Sequence, residues 1–151
     1  MKNKAFTVLE IMVVISILAI LAAVAVPRLR GMQQDGNTAR ARADLNTLKA
    51  AVDAYYLAQP VHTYPATNEI VQGKVMPKSG TWQKVSAAPY DPFGATTTTL
   101  YNYMRSSPSG KFYVLWSVGV NAGGSVTAIN DTTGVVTKTG SPVCVTNGSG
   151  C

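Results

Sequence analysis

A long apolar segment, Phe6 to Val26, stands near the beginning of the chain. Its only polar residues are Thr7, Glu10 and Ser16. As an α-helix, its roughly 21 residues at about 1.5 Å each reach about 31 Å, which matches the hydrocarbon core of a bilayer. No comparable run follows in the sequence. The pattern predicts one membrane-spanning helix over residues 6–27, preceded by a short leader over residues 1–5.

Apolar residues return further along at the spacing of one helical face. This stripe consists of Ala41, Leu45, Leu48, Val52 and Tyr55. The charged residues off the stripe are expected to stay hydrated, and they are Arg40, Asp44, Lys49 and Asp53. We therefore predict an amphipathic helix over residues 28–59, ending near Gln59–Pro60.

Pro27 lies between the two predicted helical segments. Proline lacks an amide donor and clashes with the preceding turn, so it kinks or ends a helix. Because helical spacing resumes soon afterwards, we favour a kink in one long, bent helix, with a helix end as the alternative.

The second half of the chain contains short runs rich in aromatic and β-branched residues, which are typical of strands. The predicted strands are residues 100–105, 111–118, 125–129 and 135–138. The stretch Pro60–Pro92 is rich in proline and predicts a loop with short irregular elements. Three or four antiparallel strands packed on the apolar stripe would give an α+β fold, with the long helix on a small sheet in a head of residues 60–151.

Charge and composition narrow the class of protein. Only 13% of the 151 residues are charged, and the formal net charge is +6. Lys2 and Lys4 precede the apolar segment, which predicts that this end stays in the cytoplasm while the head lies outside. No aromatic residues alternate with the basic ones, so we do not expect a nucleic-acid partner. With one His, two Cys and no nucleophile motif, the sequence does not indicate an enzyme.

Glu10 is the informative residue of the apolar segment. A carboxylate near the membrane interior costs on the order of 2.5–3.5 kcal/mol, so a disposable signal peptide has no reason to carry it. A cut before Phe6 would create an α-amino group four residues away from Glu10. That amine, on the same chain or on a neighbouring copy, would neutralise the carboxylate, and pairing between copies would set their stagger.

The segment Lys4 to Glu10, followed by the apolar helix, resembles the N-terminus of type IV pilins and pseudopilins. This resemblance implies cleavage before Phe6 by a prepilin peptidase, methylation of the new amine, and docking of subunits through Phe6 and Glu10. The resemblance implies a filament subunit that needs no cofactor. It also implies that the subunit inserts in the cytoplasmic membrane and is assembled there by a membrane platform and a separate motor. Pro27 falls where the family commonly has a helix-melting proline. Ala5 stands where the family usually has Gly.

The head resembles that of a major pseudopilin of type II secretion. The matching segments are Trp82, Pro89–Gly94, Tyr101–Tyr103 and Tyr113–Gly119. The resemblance implies calcium in a loop after the last segment, where this chain offers Asn121 and Asp131 as ligands. Because calcium prefers several charged oxygen ligands, an ordinary glycine turn is the favoured interpretation.

Cys144 and Cys151 enclose a short stretch rich in Gly, Ser and Asn, flexible enough to let the two thiols meet. In an extracytoplasmic head such a disulfide would persist, so we predict a C-terminal Cys loop. Two free thiols or bridges between chains are the alternatives. A loop of this kind resembles type IV pilins more than major pseudopilins.

Two other classes of function stay open. One is a membrane-anchored extracytoplasmic binding module that does not polymerise and keeps residues 1–5. The other is a secreted domain released by signal cleavage after Ala25. Within the filament class, the sequence does not separate a surface pilus from a secretion pseudopilus.

Overall fold

The computed structural model describes residues 6–65 and 89–151. The expectations for Ala5, for Trp82 and for most of the Pro60–Pro92 loop lie outside the described residues. By internal contacts the chain divides into two compact units, Met1–Gly36 and Asn37–Cys151, and each is described by itself.

One helix, α1, runs from Val8 to Ala58 over 51 residues. Pro27 lies inside α1, so the alternative of a helix end at this residue is wrong. The helix ends next to Gln59, as the apolar stripe predicted. A bend or local melting at Pro27 stays a prediction.

The first unit has no core of its own among its described residues. Every residue from 6 to 36 is exposed, including all the large apolar side chains of the membrane-length segment. A helix that is hydrophobic over such a length is normally covered by a protein core or by lipid. Within residues 6–65 and 89–151, nothing covers this segment.

The second unit contains five strands in two sheets. The strands are β1 (Asn102–Arg105), β2 (Tyr113–Ser117), β3 (Ser125–Ile129), β4 (Val136–Thr139) and β5 (Val143–Thr146). The larger sheet has the order β1-β2-β5, and the smaller one pairs β3 with β4. All of these pairings are antiparallel.

The predicted α+β class, with one long N-terminal helix and small antiparallel sheets, is confirmed. Four strands fall on predicted segments: β3 has the predicted bounds, and the ends of the other three are trimmed or shifted by one or two residues. The antiparallel strands are divided between two sheets, because β3 and β4 pair only with each other. Residues 143–146 form a fifth strand in the region expected to be a simple loop.

The central strand β2 is buried at every position, because both of its faces are covered. Tyr113 and Leu115 belong to the core that contains the α1 stripe. Val114 and Trp116 point the other way, into a second cluster with side chains of the β3–β4 sheet. Burial on both faces explains why Tyr113–Trp116 form an apolar run rather than an alternating pattern.

Candidate assembly site

The first turn of α1 is fixed by Thr7. The Thr7 hydroxyl accepts a hydrogen bond from the Glu10 amide at 3.2 Å, and the Thr7 carbonyl accepts one from the same amide at 3.1 Å. Thr7 is therefore an N-cap residue, and it satisfies an amide at the start of the helix that has no partner within it. The helix begins two residues after Phe6, the residue before which cleavage is predicted.

The carboxylate of Glu10 lies in the first turn of α1. Its position next to the positive end of the helix dipole favours a negative charge. Within residues 6–65 and 89–151, this carboxylate accepts no hydrogen bond and forms no ion pair. Phe6, the proposed source of the partner amine, is 76% exposed. The local fold leaves both groups accessible to another copy.

Helix α1 is long and apolar enough, by length and composition, to cross a membrane, and the apolar window is 0% buried. The core helix of a soluble protein would show the opposite pattern. Ser16 does not interrupt the apolar surface, because its hydroxyl donates to the Met12 carbonyl at 2.7 Å. The segment thus presents a continuous apolar surface for lipid or for other helices.

In the head, the polar face of α1 contributes to packing on the sheet. The Tyr101 hydroxyl donates to Asp44 at 3.0 Å, and the Tyr113 hydroxyl donates to Asp53 at 2.8 Å. Asp44 and Asp53 stay partly exposed to solvent, as expected, and in addition they contact the sheet. Their carboxylates accept hydrogen bonds from two tyrosines whose rings are buried in the core.

Lys49 completes this polar layer. Its Nζ lies 3.1 Å from Asp53 and 3.3 Å from the Tyr113 hydroxyl. Arg40 similarly forms an ion pair with Asp44 at 3.6 Å. Burial, followed by the hydrogen bond to the aspartate, raises the pKa of both Tyr101 and Tyr113 well above the usual value. Both tyrosines therefore stay neutral as donors at physiological pH.

Asp91 anchors the loop before β1, and its side chain is only 3% exposed. Its Oδ1 accepts hydrogen bonds from the Ser117 hydroxyl at 2.7 Å and from the Phe93 amide at 2.9 Å. Its Oδ2 accepts one from the Val118 amide at 3.1 Å. This buried carboxylate ties the loop to the end of β2. Its role was missed because the sequence shows only the turn residues around it.

The structure does not bring the two calcium candidates together. Asn121 lies in the turn before β3, with a φ of 65°, whereas Asp131 lies in the turn after β3. The Asp131 carboxylate accepts hydrogen bonds from the Ser109 hydroxyl at 2.6 Å and the Ser109 amide at 3.0 Å. Hydrogen bonds from Ser106 and then Ser109 hold the pKa of Asp131 below its ordinary value. Over the described ranges, no group of three or more His, Cys, Asp or Glu side chains could hold a metal ion.

Cys144 and Cys151 form a disulfide, as predicted. The alternatives of two free thiols or a bridge between chains do not apply to this structure. The disulfide joins β5 to the segment that follows it.

An exposed apolar helix of membrane length, starting at a Phe-Thr-x-x-Glu segment and continuing into a small α+β head, defines a pilin-like filament subunit. Matches to known protein families identify which kind of pilin-like subunit the chain resembles. The family described as "Prokaryotic N-terminal methylation motif" matches residues 1–26, and "Type II secretion system, protein G" matches residues 28–131. The chain belongs to the type II secretion system protein G family.

Several proteins named type II secretion system core protein G are similar over most of the chain. The Escherichia coli protein is 36% identical over 125 residues, which cover 73% of this chain and 85% of that protein. The Pseudomonas aeruginosa protein is 32% identical over 134 residues, covering 82% and 89%. The Vibrio cholerae protein is 32% identical over 116 residues, covering 72% and 75%. No solved structure matches this chain.

These matches confirm the predicted resemblance and the predicted role as a pilin-like filament subunit. They also separate the two branches that the sequence left open, in favour of type II secretion. The individual roles of Ala5, Phe6, Glu10 and Pro27 stay predictions.

Proposed function

We propose that this chain is a structural subunit of a type II secretion pseudopilus. In this proposal a prepilin peptidase cuts between Ala5 and Phe6 and methylates the new amine, and the mature subunit polymerises through α1. Before assembly the subunit spans the cytoplasmic membrane once, with the head outside. A membrane platform and a separate cytoplasmic motor supply the assembly machinery.

One observation carries the proposal: the apolar half of α1 is exposed throughout and belongs to the segment, residues 1–26, that matches an N-terminal methylation motif. Burying apolar surface stabilises by about 25 cal/mol per Å², so a segment with so many exposed large side chains strongly favours an apolar environment. Lipid provides it before assembly, and sister helices provide it within a filament. A released soluble domain would have lost this segment.

In this proposal, Glu10 sets the register between the packed α1 helices of neighbouring subunits. Its carboxylate has no partner among the described residues of its own chain and lies in the first helical turn, beside the exposed Phe6. When a neighbouring copy is displaced by about one helical turn, its Phe6 amine lies opposite this carboxylate. Pairing removes the cost of a lone carboxylate in the apolar layer, which is on the order of 2.5–3.5 kcal/mol.

Pro27 also has a role in this proposal, which is to allow local melting of α1. Proline removes one hydrogen bond from the helix and weakens the turn before it. Because Pro27 lies at the end of the apolar segment, local melting there would let the two parts of α1 adjust to neighbours independently. The structural role requires no catalytic group.

The test has two measurements on the full-length chain in its native host. Mass spectrometry should show a mature N-terminus at a methylated Phe6. Recovery of the natural protein with residues 1–5 attached and with no polymer would overturn the proposal and favour the anchored binding module. A mature start at Val26 would favour the secreted domain.

The second measurement compares Glu10→Gln with Asp35→Asn. Both substitutions neutralise one exposed acid on α1, but only Glu10 lies in the apolar segment. We expect Glu10→Gln to insert in the membrane normally and to lose most of its polymer, whereas Asp35→Asn polymerises like the wild type. Equal polymer yields from the two variants would remove the docking role of Glu10.

A further inference from the structure

The segment Val143–Cys151, here called the closing segment, is bonded first to the larger sheet. Its strand β5 pairs with β2, with Leu115 opposite Val145 and Ser117 opposite Val143. Asn147 extends the attachment beyond the strand. Its side-chain oxygen accepts from the Tyr113 amide at 2.9 Å, and its side-chain nitrogen donates to the Lys111 carbonyl at 3.0 Å.

The same segment is also bonded to the smaller sheet. The Ser149 amide donates to the Gly134 carbonyl at 3.0 Å, and the Val136 amide donates to the Ser149 carbonyl at 2.9 Å. Gly134 has a φ of 70°, and its backbone lies so close to Gly148 that a side chain on Gly148 would collide with it. The closing segment thus connects two sheets that share no strand.

The disulfide holds the far end of the closing segment in place. Cys144 packs against the second cluster, formed by Val114 and Trp116 of β2 with Val126 and Val136 of the smaller sheet. The disulfide bond from Cys144 to Cys151, at a sequence separation of 7, ties the end of the closing segment back to β5. Cys151 follows shortly after Ser149, the residue that is bonded to the smaller sheet. Release of the disulfide bond would leave residues 147–151 with few constraints beyond their hydrogen bonds.

We infer that the closing segment is a disulfide-locked clip that holds the β3–β4 sheet on the β1-β2-β5 sheet. Reduction should loosen the second cluster while the first core, between α1 and β2, keeps its packing. The clip lies outside residues 28–131, the part of the chain that matches the protein G family. The next step rests on the proposed function. Because the clip completes the head, efficient polymerisation requires that the head be oxidised first.

The oxidation is an ordinary thiol–disulfide exchange. The thiols of Cys144 and Cys151 lose two protons and two electrons as their S–S bond forms. A disulfide of an extracytoplasmic thiol oxidoreductase accepts these two protons and two electrons and becomes a dithiol. The head would complete its fold only after it has crossed the membrane.

Hydrogen exchange on the full-length chain in detergent tests the clip, with the oxidised and reduced wild type compared. Closing so short a loop shifts the opening equilibrium of the segment by roughly fiftyfold. We expect the amides of Val136 and Ser149 to exchange faster by about that factor after reduction, while β1 amides change little. Unchanged protection at Val136 and Ser149 would overturn the clip, and so would equal loss of protection in β1.

Two variants keep the test independent of the reductant. Cys144→Ala with Cys151→Ala should reproduce the reduced pattern. Asn147→Ala should keep the disulfide but speed exchange of the Tyr113 amide, whereas Ser141→Ala, outside the closing segment, serves as the matched control. A double cysteine variant with the oxidised pattern of protection would contradict the inference.

Polymer yield then tests the link to assembly. We expect the double cysteine variant to reach the membrane in normal amount but to form about tenfold less polymer than the wild type, since its head is incompletely closed. Normal polymer from this variant would overturn the oxidation condition. Failure of the wild type to polymerise would instead contradict the proposed function, and the exchange pattern would still decide the clip.

Discussion

The two parts of α1 have opposite relations to the rest of the protein. Residues 8–36 are exposed on all sides, although they are largely apolar. In the part from Asn37 to Ala58, Ala41, Leu45, Leu48, Ala51 and Val52 are buried against the chain's own sheet. The comparison shows that apolar character alone does not identify a core. What matters is whether the same chain supplies a cover, and among the residues that the structure describes only the second part has one.

The largest expected effect comes from a large-to-small substitution in each part of α1. Leu45 is 0% exposed, so Leu45→Ala should destabilise the head by about 2–5 kcal/mol through lost burial and a cavity. Ile15→Ala removes a comparable side chain from the exposed part and should leave head stability unchanged. Urea unfolding of the full-length chain in detergent measures both, and equal midpoints for the two variants would break the comparison.

A smaller effect is expected at Asp91, whose carboxylate is buried by the head rather than by lipid or another copy. Asp91→Ala would leave the Ser117 hydroxyl and two amides without their acceptor, at a cost of about 2–3 kcal/mol. Asp35→Ala removes an exposed acid from the first unit and is the control. A head that melts at the same temperature in both variants would contradict the anchoring role of Asp91.

The polar layer between α1 and the sheet should respond to high pH. Because the folded pKa of Tyr113 is raised above its unfolded value of about 10, its contribution is complete below pH 10 and declines as pH rises further. Tyr113→Phe should cost about 1 kcal/mol at neutral pH and make the alkaline loss of stability shallower. Unfolding curves from pH 7 to about pH 11 measure this slope. An unchanged slope would mean that Tyr113 is not the titrating group.

The smallest effect is expected at Asp131, which is half-buried. Its folded pKa is lowered, so its contribution is present above its unfolded pKa and is lost as pH falls through the folded value. Asp131→Asn should slightly reduce the sensitivity of the head to acid, while Asp35→Asn should not. Thermal melts between about pH 5 and pH 3 distinguish the two.

Local patterns predicted much of this fold. The run Lys111–Val118 predicted β2 because aromatic and β-branched residues cluster there, and helical spacing predicted α1 up to its end. Residues 143–146 read Val-Cys-Val-Thr, which is also a strand pattern. The two nearby cysteines and the flexible residues between them instead favoured the prediction of a loop. The pairing of β5 with β2 joins residues far apart in sequence, and no local pattern specifies it.

The site was predictable to a similar extent. The Phe-Thr-x-x-Glu segment carried the class of protein, and its Thr7 and Glu10 also have the spacing of a helix capping box, which would have predicted the N-cap. The hydrogen bonds from Tyr101 and Tyr113 to Asp44 and Asp53 depend on which face of α1 meets the sheet. Helical spacing located the apolar stripe, but it did not show how far its polar borders would be covered.

The disulfide has a practical consequence for labelling. The sequence has two cysteines, and both are bonded to each other. A cysteine introduced at Ser16, which is exposed in the apolar part of α1, would be the sole reactive thiol in the oxidised protein. A maleimide dye attached there could report the transfer of a subunit from lipid to polymer without any change to the head.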